Sequence, residues 1–378
     1  MHSIFSFFTG AGFLDLGFEH EGFRVDLVNE YSREFLAGYR HSRERLGSPR
    51  PRFGHHLGSV EHFVEGPGLD LLSRAVDSVH AAGRKVGFVG GPPCPDFSVA
   101  GKNAGGEGDN GRLTATYFEI IERCRPDFFI FENVEGLWRT KIHRQFYEGR
   151  KSILRGCGYA LHDRLINALD YGVGQDRSRI FLVGLLDGDP EAAFPWDVGM
   201  THDSAAILSG VWPTTDKFRE DGELPVPEGV VEELTVEYWF RRNRVYDHPN
   251  AHMAFSPLSE RFHTVLEGDV KKKSFKRLHR HRYSPTAAYG NNEVHLHPYR
   301  PRRISVAEAL AIQSLPAEYE LPPSMPLSAC FKTIGNGVPY KAARGLAKSV
   351  AAALAIPVAT ETRLRRTGAP EPFLVAAE

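Results

Sequence analysis

The chain has 378 residues, 42% of them hydrophobic and 25% charged, which suffices for two domains or for one large domain with a sizeable insertion and excludes disorder as the main state. Its four cysteines, Cys94, Cys124, Cys157 and Cys330, are widely separated and lack zinc spacing, so no disulfide framework is expected and a reducing, cytoplasmic setting is. No apolar run reaches the roughly 18 residues of a membrane span, no secretory leader is expected, and the net charge of -1 hides two opposed blocks: 14 Asp/Glu against 5 Lys/Arg over 189–260, then 11 Lys/Arg against 3 Asp/Glu over 261–303.

In chain order, Ser3 to Phe8 is predicted as a short buried strand, Thr9-Gly10-Ala11-Gly12 as a tight turn, and Phe13 to Phe18 as a short helix from its i,i+3 and i,i+4 apolar pairs. A strand over 25–28 ends at Asn29-Glu30, and helices follow around 32–45 and 69–82. Val86 to Val89 is a buried strand closed by Gly90-Gly91-Pro92-Pro93. A helix over 114–124, a strand over 128–131 followed at once by Glu132-Asn133, a helix over 143–156 and a strand over 180–184 come next. Strands alternating with helices predict a doubly wound α/β sheet with ligands at the carboxyl ends of its strands. Residues 188–300 break the pattern and are expected to form an irregular, mostly β or loop domain. Periodicity returns in a helix from Val306, then a loop Gly335-Asn336-Gly337-Val338-Pro339 opens a last helix over about 339–355.

Five places carry chemistry-bearing residues. The glycines of Phe8-Thr9-Gly10-Ala11-Gly12 let a ligand approach the backbone, and Glu30 at the next strand end can accept from both hydroxyls of a ribose, with Tyr31 offering a flat face to adenine. That spacing serves NAD and S-adenosylmethionine alike. The second place, Gly90 to Ser98, holds Cys94 on a rigid turn just past a strand, where a neighbouring cation or helix N-terminus can activate a thiolate nucleophile. The other three cysteines read as packing residues. Glu132 would face the same crevice, with burial raising its pKa toward proton-holding at neutral pH. Arg177 and Arg179 alternate at a strand start and can orient a carbonyl and lower the thiol pKa. The fifth place, 271–282, has seven Lys or Arg among twelve residues and no acid, which suits phosphate contacts. Taken alone, each also fits a plain structural role: a strand–helix turn, a core aromatic, a solvated charge.

The order of these motifs resembles that of the DNA (cytosine-5) methyltransferases. Pro-Pro-Cys, Glu-Asn-Val about 38 residues on and Gln-x-Arg-x-Arg about 43 after that form a highly specific combination. The resemblance covers about 1–187 and 298–355, and the middle matches by position alone. It implies a Rossmann-like S-adenosylmethionine-dependent methyltransferase with a mostly parallel sheet and a smaller, irregular target-recognition domain. The expected division is 1–187 catalytic and cofactor-binding, 188–300 recognition, 301–356 returning to complete the catalytic part, and 357–378 a loose tail.

The resemblance also implies roles. Cys94 would attack cytosine C6, Glu132 would bind N3 and the exocyclic amine, and Arg179 the O2, with Arg177 in support. The cofactor would be S-adenosyl-L-methionine, lined by Phe8, Gly10, Gly12, Glu30, Tyr31, Ser59, Val60, Pro93, Leu113, Asn336 and Val338. DNA contacts are expected from Ser98, Arg241, Arg242 and Arg244, and from Lys271, Lys272, Lys273, Lys276, Arg277, Arg280 and Arg282 of the basic run. The Gly-rich stretch from Ser98 to Arg112 is expected to close on DNA behind a flipped-out base. His297-Pro298 and Arg302 to Ser305 resemble the segment that supports the recognition domain. Three positions depart from the family pattern: Pro95 follows the cysteine, Ser59 stands where an acid is usual near the adenine amine, and Ala307 stands where Arg commonly precedes Glu308. The expected partners are duplex DNA and, in the same system without direct contact, a cognate restriction endonuclease; no membrane and no metal are expected, and the enzyme is expected to be a monomer. A bacterial or phage modification role is the commonest family setting. An RNA (tRNA) cytosine-C5 methyltransferase of the same fold is the principal alternative. A non-catalytic module sits badly with intact Cys94, Glu132 and Arg179, and only the Gly-rich turn speaks for an NAD dehydrogenase.

Overall fold

A computed structural model describes residues 1–93, 109–272, 274–287, 289 and 293–355. Among the described residues seven strands form one sheet in the order β3-β2-β1-β4-β5-β8-β6: β1 (Ser3–Phe7), β2 (Arg24–Glu30), β3 (His55–Leu57), β4 (Val86–Gly90), β5 (Phe128–Val134), β6 (Tyr159–Asn167) and β8 (Ser178–Leu186). The first five are mutually parallel; β8 runs antiparallel to both β5 and β6. Two further strands, β7 (Gln175–Asp176) and β9 (Ser284–Pro285), pair with each other. The sheet is therefore mostly parallel, and its strand order reverses direction at β1, with β2 on one side and β4 on the other.

Strands covered on both faces need apolar side chains in unbroken runs. The two faces separate with the period of two. Ile4, Val89, Phe128 and Ile130 pack with α1 (Phe13–His20), α2 (Arg33–Arg45) and α12 (Tyr340–Ala353). Phe5, Phe7, Phe88, Phe129 and Phe131 pack on the other face with α3 (Gly66–Ala81), α4 (Asp109–Cys124) and α6 (Lys141–Gly156). The short α5 (Glu135–Arg139) follows β5 directly. A third cluster joins α8 (Val236–Arg242) of the insert to α10 (Val306–Ile312), α11 (Leu327–Asn336) and the Ala11–Phe13 end of α1.

Four predicted boundaries change. The strand at 128 continues through Glu132 and Asn133, because β8 pairs with β5 as far as Val134. Residues 109–112, expected within a mobile loop, form the first turn of α4, and 98–108 lie outside the described residues. Gly335 and Asn336 are the end of α11 rather than loop. Their helix-end carbonyls, which have no partner inside the helix, accept from Arg177 at 2.9 and 3.3 Å, and Gln313 Nε2 donates to the Ile334 carbonyl at 2.6 Å. The insert, expected to be mostly β or loop, is irregular but carries little strand among its described residues. It holds α7 (Ser204–Ser209), α8, α9 (Arg261–Thr264), β9 and a few isolated bridges. The reason is visible at its centre. Arg277 is fully buried and donates to the carbonyls of Val265 (3.0 Å), His297 (2.5 Å), Arg300 (3.1 Å) and Phe262. A side chain thus satisfies backbone groups that a sheet ladder would otherwise take.

No helix among the described residues is long and apolar enough to cross a membrane.

Candidate functional site

Three strand tips and one turn converge at the carboxyl edge of the parallel strands, where ligands of open α/β sheets bind. The turn after β1 begins at Phe8, which is half-buried with φ 54, and continues through Gly10 (φ 56) to Gly12 (φ 82). A Cβ on Gly12 would lie 2.4 Å from the Tyr39 ring, so both its conformation and its surroundings require glycine. Glu30, at the tip of β2, is buried. Its Oε2 accepts from the Gly10 amide at 2.8 Å and its Oε1 from the Ser32 amide at 2.8 Å. Burial raises the Glu30 pKa, and these backbone N–H groups oppose the shift.

Beside Glu30, Tyr31 is 78% exposed, an aromatic face left open next to a buried carboxylate. Ser59 caps the 3-10 turn Val60–Phe63: its hydroxyl accepts from the Glu61 amide and donates to the Glu61 carboxylate at 2.9 Å. Val60 is buried in the core and Leu113 is half-buried against the same cluster. The donor set fits S-adenosylmethionine: a buried carboxylate for the ribose, a glycine turn with its ends pinned, and an uncovered ring for adenine.

After β4, the chain enters Gly91-Pro92-Pro93. A Cβ on Gly91 would stand 2.7 Å from Glu132 Oε2, which brings this backbone against the carboxyl at the tip of β5. Asn133 Nδ2 donates to the Pro92 carbonyl at 3.4 Å, and its Oδ1 accepts from the Val134 amide at 2.8 Å. Cys94 and Ser98 lie outside the described residues.

Glu132 is buried and pairs with Arg179, Oε1 to Nε, at 3.2 Å. The antiparallel register makes this possible: Glu132 faces Phe181 and Val134 faces Arg179, so the two side chains are diagonal neighbours across β5 and β8. Burial raises the Glu132 carboxyl above its ordinary range, with Arg179 and then Arg177 pulling the other way. Arg177 is buried too, but its guanidinium donates to the Gly335 and Asn336 carbonyls. It links the Gln175–Arg179 stretch to the segment holding Asn336, which is exposed, and Val338, which is buried. Arg177, Arg179 and Val338 line one small cavity with Ile166, Phe181 and Ala342. Cys330 is buried and Cys124 partly so, and burial pushes both thiols up to about 12; neither is a ready nucleophile.

The expected DNA-facing set divides. Lys271 and Lys272 are exposed, Lys276 and Arg282 are half-buried, and Lys273 lies outside the described residues. Arg277 and Arg280 are corrections. Arg277 is the buried organiser described above. Arg280 is buried against Glu267, with Nε to Oε1 at 2.8 Å and Nη2 to Oε2 at 2.8 Å. Neither can reach a phosphate without undoing the insert. Arg241 pairs with Glu232, Arg244 pairs with Asp247 at 3.2 Å, and Arg242 lies 5.5 Å from the Trp239 ring; all three are exposed.

The Ala307 departure leaves Glu308 well held. Arg302 grips it with two hydrogen bonds at 2.8 and 2.6 Å, and Ser305 forms a capping box with it. Arg302, together with His297 at 3.5 Å, holds its carboxyl down at about 2 despite burial.

Several supporting residues come from distant parts of the chain. Thr333 Oγ1 accepts from the Ala11 amide at 3.1 Å, and the Tyr319 hydroxyl donates to the Ala11 carbonyl at 2.7 Å. Both are more than 300 positions away in sequence, and no local signal marks them. Asn133 was visible inside Glu-Asn-Val, but its hold on Pro92 depends on the neighbouring strand.

Among known proteins, the model of the C-5 cytosine-specific DNA methylase family matches residues 2–352. The chain is 53% identical over 351 residues to the Type II methyltransferase M.NmeDI of Neisseria meningitidis serogroup C, covering 92% of this chain and 83% of that protein. It is 26% identical over 358 residues to the Type II methyltransferase M.NgoPII of Neisseria gonorrhoeae, covering 92% and 94%. The structure of S. pombe Dnmt2 methyltransferase aligns with a TM-score of 0.59 at 10% identity, over 94% of this chain and 99% of that one, a likeness of fold.

Proposed function

The chain belongs to the C-5 cytosine-specific DNA methylase family, and from that premise we propose that Cys94, Glu132 and Arg179 carry the reaction on a cytosine flipped out of a specific duplex sequence. S-adenosyl-L-methionine supplies, when bound, an electrophilic methyl group on a sulfonium; Phe8, Gly10, Gly12, Glu30, Tyr31, Ser59, Val60, Pro93, Leu113, Asn336 and Val338 would hold it.

The chemistry asked of the protein is specific. Cytosine C5 is a poor nucleophile. Addition of the Cys94 thiolate to C6, with a proton held at N3 by Glu132, converts the ring to an enamine that is nucleophilic at C5. Loss of the C5 proton after methylation restores the double bond and expels the thiolate. A carboxyl placed to exchange a proton with N3 is the demanding requirement, and Glu132, buried at the tip of β5 with Arg179 3.2 Å away, is the observation that carries this reading. Arg179 answers the charge that builds on O2. Arg177 supports the set by tying this strand start to the 335–336 carbonyls. Because C5 and C6 are shielded in a stacked duplex, the base must leave the helix, at a cost of a few kcal/mol.

Exposed Arg241, Arg242, Arg244, Lys271 and Lys272 are proposed to meet the DNA, together with Lys276, Arg282, Lys273 and Ser98. The setting proposed is a Type II modification system in the cytoplasm, with a monomeric enzyme protecting sites from a cognate restriction endonuclease that it does not touch. The support is the Type II name shared by two relatives that align over most of the chain. Bisulfite sequencing of DNA from cells expressing the chain tests the whole reading. 5-Methylcytosine in one recurring sequence context is expected; unmodified cytosine throughout would overturn it.

A further inference from the structure

A buried polar network outside the catalytic carboxylate lies beneath the Gly-rich turn, and it centres on a cation that the reaction does not use. Arg43, on α2, is 5% exposed. Its Nη2 donates to the Gly12 carbonyl at 2.6 Å, its Nε meets Glu19 Oε2 at 2.7 Å, and its guanidinium carbon lies 4.6 Å from the centre of the Tyr39 ring. Asp15, also buried, accepts from the hydroxyls of Ser6 and Thr9, each at 2.7 Å. We infer that Arg43 is a positioning residue for the cofactor, locking the Gly12 peptide so that the turn presents one fixed backbone surface to S-adenosylmethionine. The inference rests on the reading that this turn binds the cofactor.

The alternative is that Arg43 merely fills space between α1 and α2. Burying a guanidinium is costly, and an apolar side chain of similar volume is often as stabilising. Nor does the Gly12 carbonyl need Arg43 to be satisfied, since it already accepts from the Leu16 amide at 3.0 Å. What the second, charge-assisted bond adds is orientation. Gly12 sits at φ 82, and glycine is the residue whose peptide rotates most freely. Four neighbouring backbone groups of the turn are also pinned. The Thr9 amide donates to the Asn29 carbonyl, the Gly10 amide to Glu30 and the Ala11 amide to Thr333, while the Ala11 carbonyl accepts from Tyr319. A surface fixed in advance removes an ordering cost that binding would otherwise meet.

The test uses the full chain and three readouts: S-adenosylmethionine affinity by calorimetry, DNA affinity by anisotropy, and kcat at saturating cofactor. Arg43→Met is expected to weaken cofactor binding about tenfold, the loss of one charge-assisted bond, with DNA affinity and saturated kcat within about twofold. Arg43→Lys keeps a buried cation but not the planar fork that serves Gly12 and Glu19 together; it is expected to show the same split at about threefold, and it decides the matter if Arg43→Met does not fold. Unchanged cofactor affinity in a folded variant, or cofactor and DNA affinity falling together, overturns the inference. If the wild type itself binds no S-adenosylmethionine, the cofactor reading fails and this inference with it.

Discussion

The sheet edge and the insert over 188–300 handle charge in opposite ways. At the sheet edge, the described ionisable groups are placed by strand register: Glu30 closes β2, and Glu132 lies diagonal to Arg179 across β5 and β8. In the insert, charge is abundant and much of it is spent inside. Arg277 and Arg280, two of the seven cations in the basic run, hold the segment together instead of facing outward. A charged residue at a strand tip is thus a good sign of chemistry, whereas a charged run in an irregular segment has to be sorted by burial before it says anything about DNA.

The largest expected effect is on the sheet side. Glu132→Gln removes the ionisable proton holder and should lower kcat by about 10²–10⁴-fold, with S-adenosylmethionine affinity nearly unchanged in a binding titration. A variant retaining near-normal kcat would remove Glu132 from the chemistry. On the insert side, Arg280→Met leaves Glu267 buried without its partner, a loss of about 3–5 kcal/mol, read as a lowered midpoint in urea. If that variant keeps its stability but loses DNA affinity, the burial argument is wrong and Arg280 faces the duplex after all.

Glu308, on α10 where the returning segment meets His297 at the end of the insert, supplies a pH test. Its folded carboxyl is held down at about 2 against an ordinary 4.5, so its stabilisation is present above pH 4.5 and is lost as pH falls through about 2. The difference is worth about 3 kcal/mol. Glu308→Gln should therefore show a shallower acid limb than wild type over that window. Equal slopes would mean that Arg302 and its neighbours do not stabilise the carboxylate. The smallest effect is expected at Lys271→Ala and Lys272→Ala. Thermal stability should hold, while DNA affinity weakens similarly across sequences and the salt slope falls by about 1 for each phosphate no longer neutralised. A change in which sequence is methylated would instead assign these lysines to base reading.

Much of the sheet was legible because buried parallel strands advertise themselves as apolar runs closed by polar or turn-forming residues. Phe128 to Phe131 followed by Glu-Asn-Val is one such case, and Val86 to Val89 followed by Gly-Gly-Pro-Pro is another. The antiparallel pair escaped in part: β6, whose middle residues His162, Asp163 and Arg164 are polar, gave no apolar run to find. The end of α11 was read as a loop because Gly335-Asn336-Gly337 looks like one; Arg177, between β7 and β8 and 158 positions earlier, caps it. Arg43, Thr333 and Tyr319 act on the Gly-rich turn across the fold, and nothing near them in the chain announces it. In the insert the sequence shows the sign of the charge, but the split between Lys271, exposed, and Arg277, buried, is decided by tertiary packing alone.

The central claim is that one thiol adds to the pyrimidine ring while Glu132 holds the N3 proton. An oligonucleotide carrying 5-fluorocytosine at the methylated position tests it most directly, because fluorine at C5 cannot leave as a proton and the covalent adduct is trapped. With S-adenosylmethionine present, a denaturation-resistant complex is predicted, mapping by peptide mass to Cys94 and strongly reduced by Glu132→Gln. Methylation of the ordinary oligonucleotide with no trapped complex on the fluorinated one, or a complex mapping to another cysteine, would contradict the account.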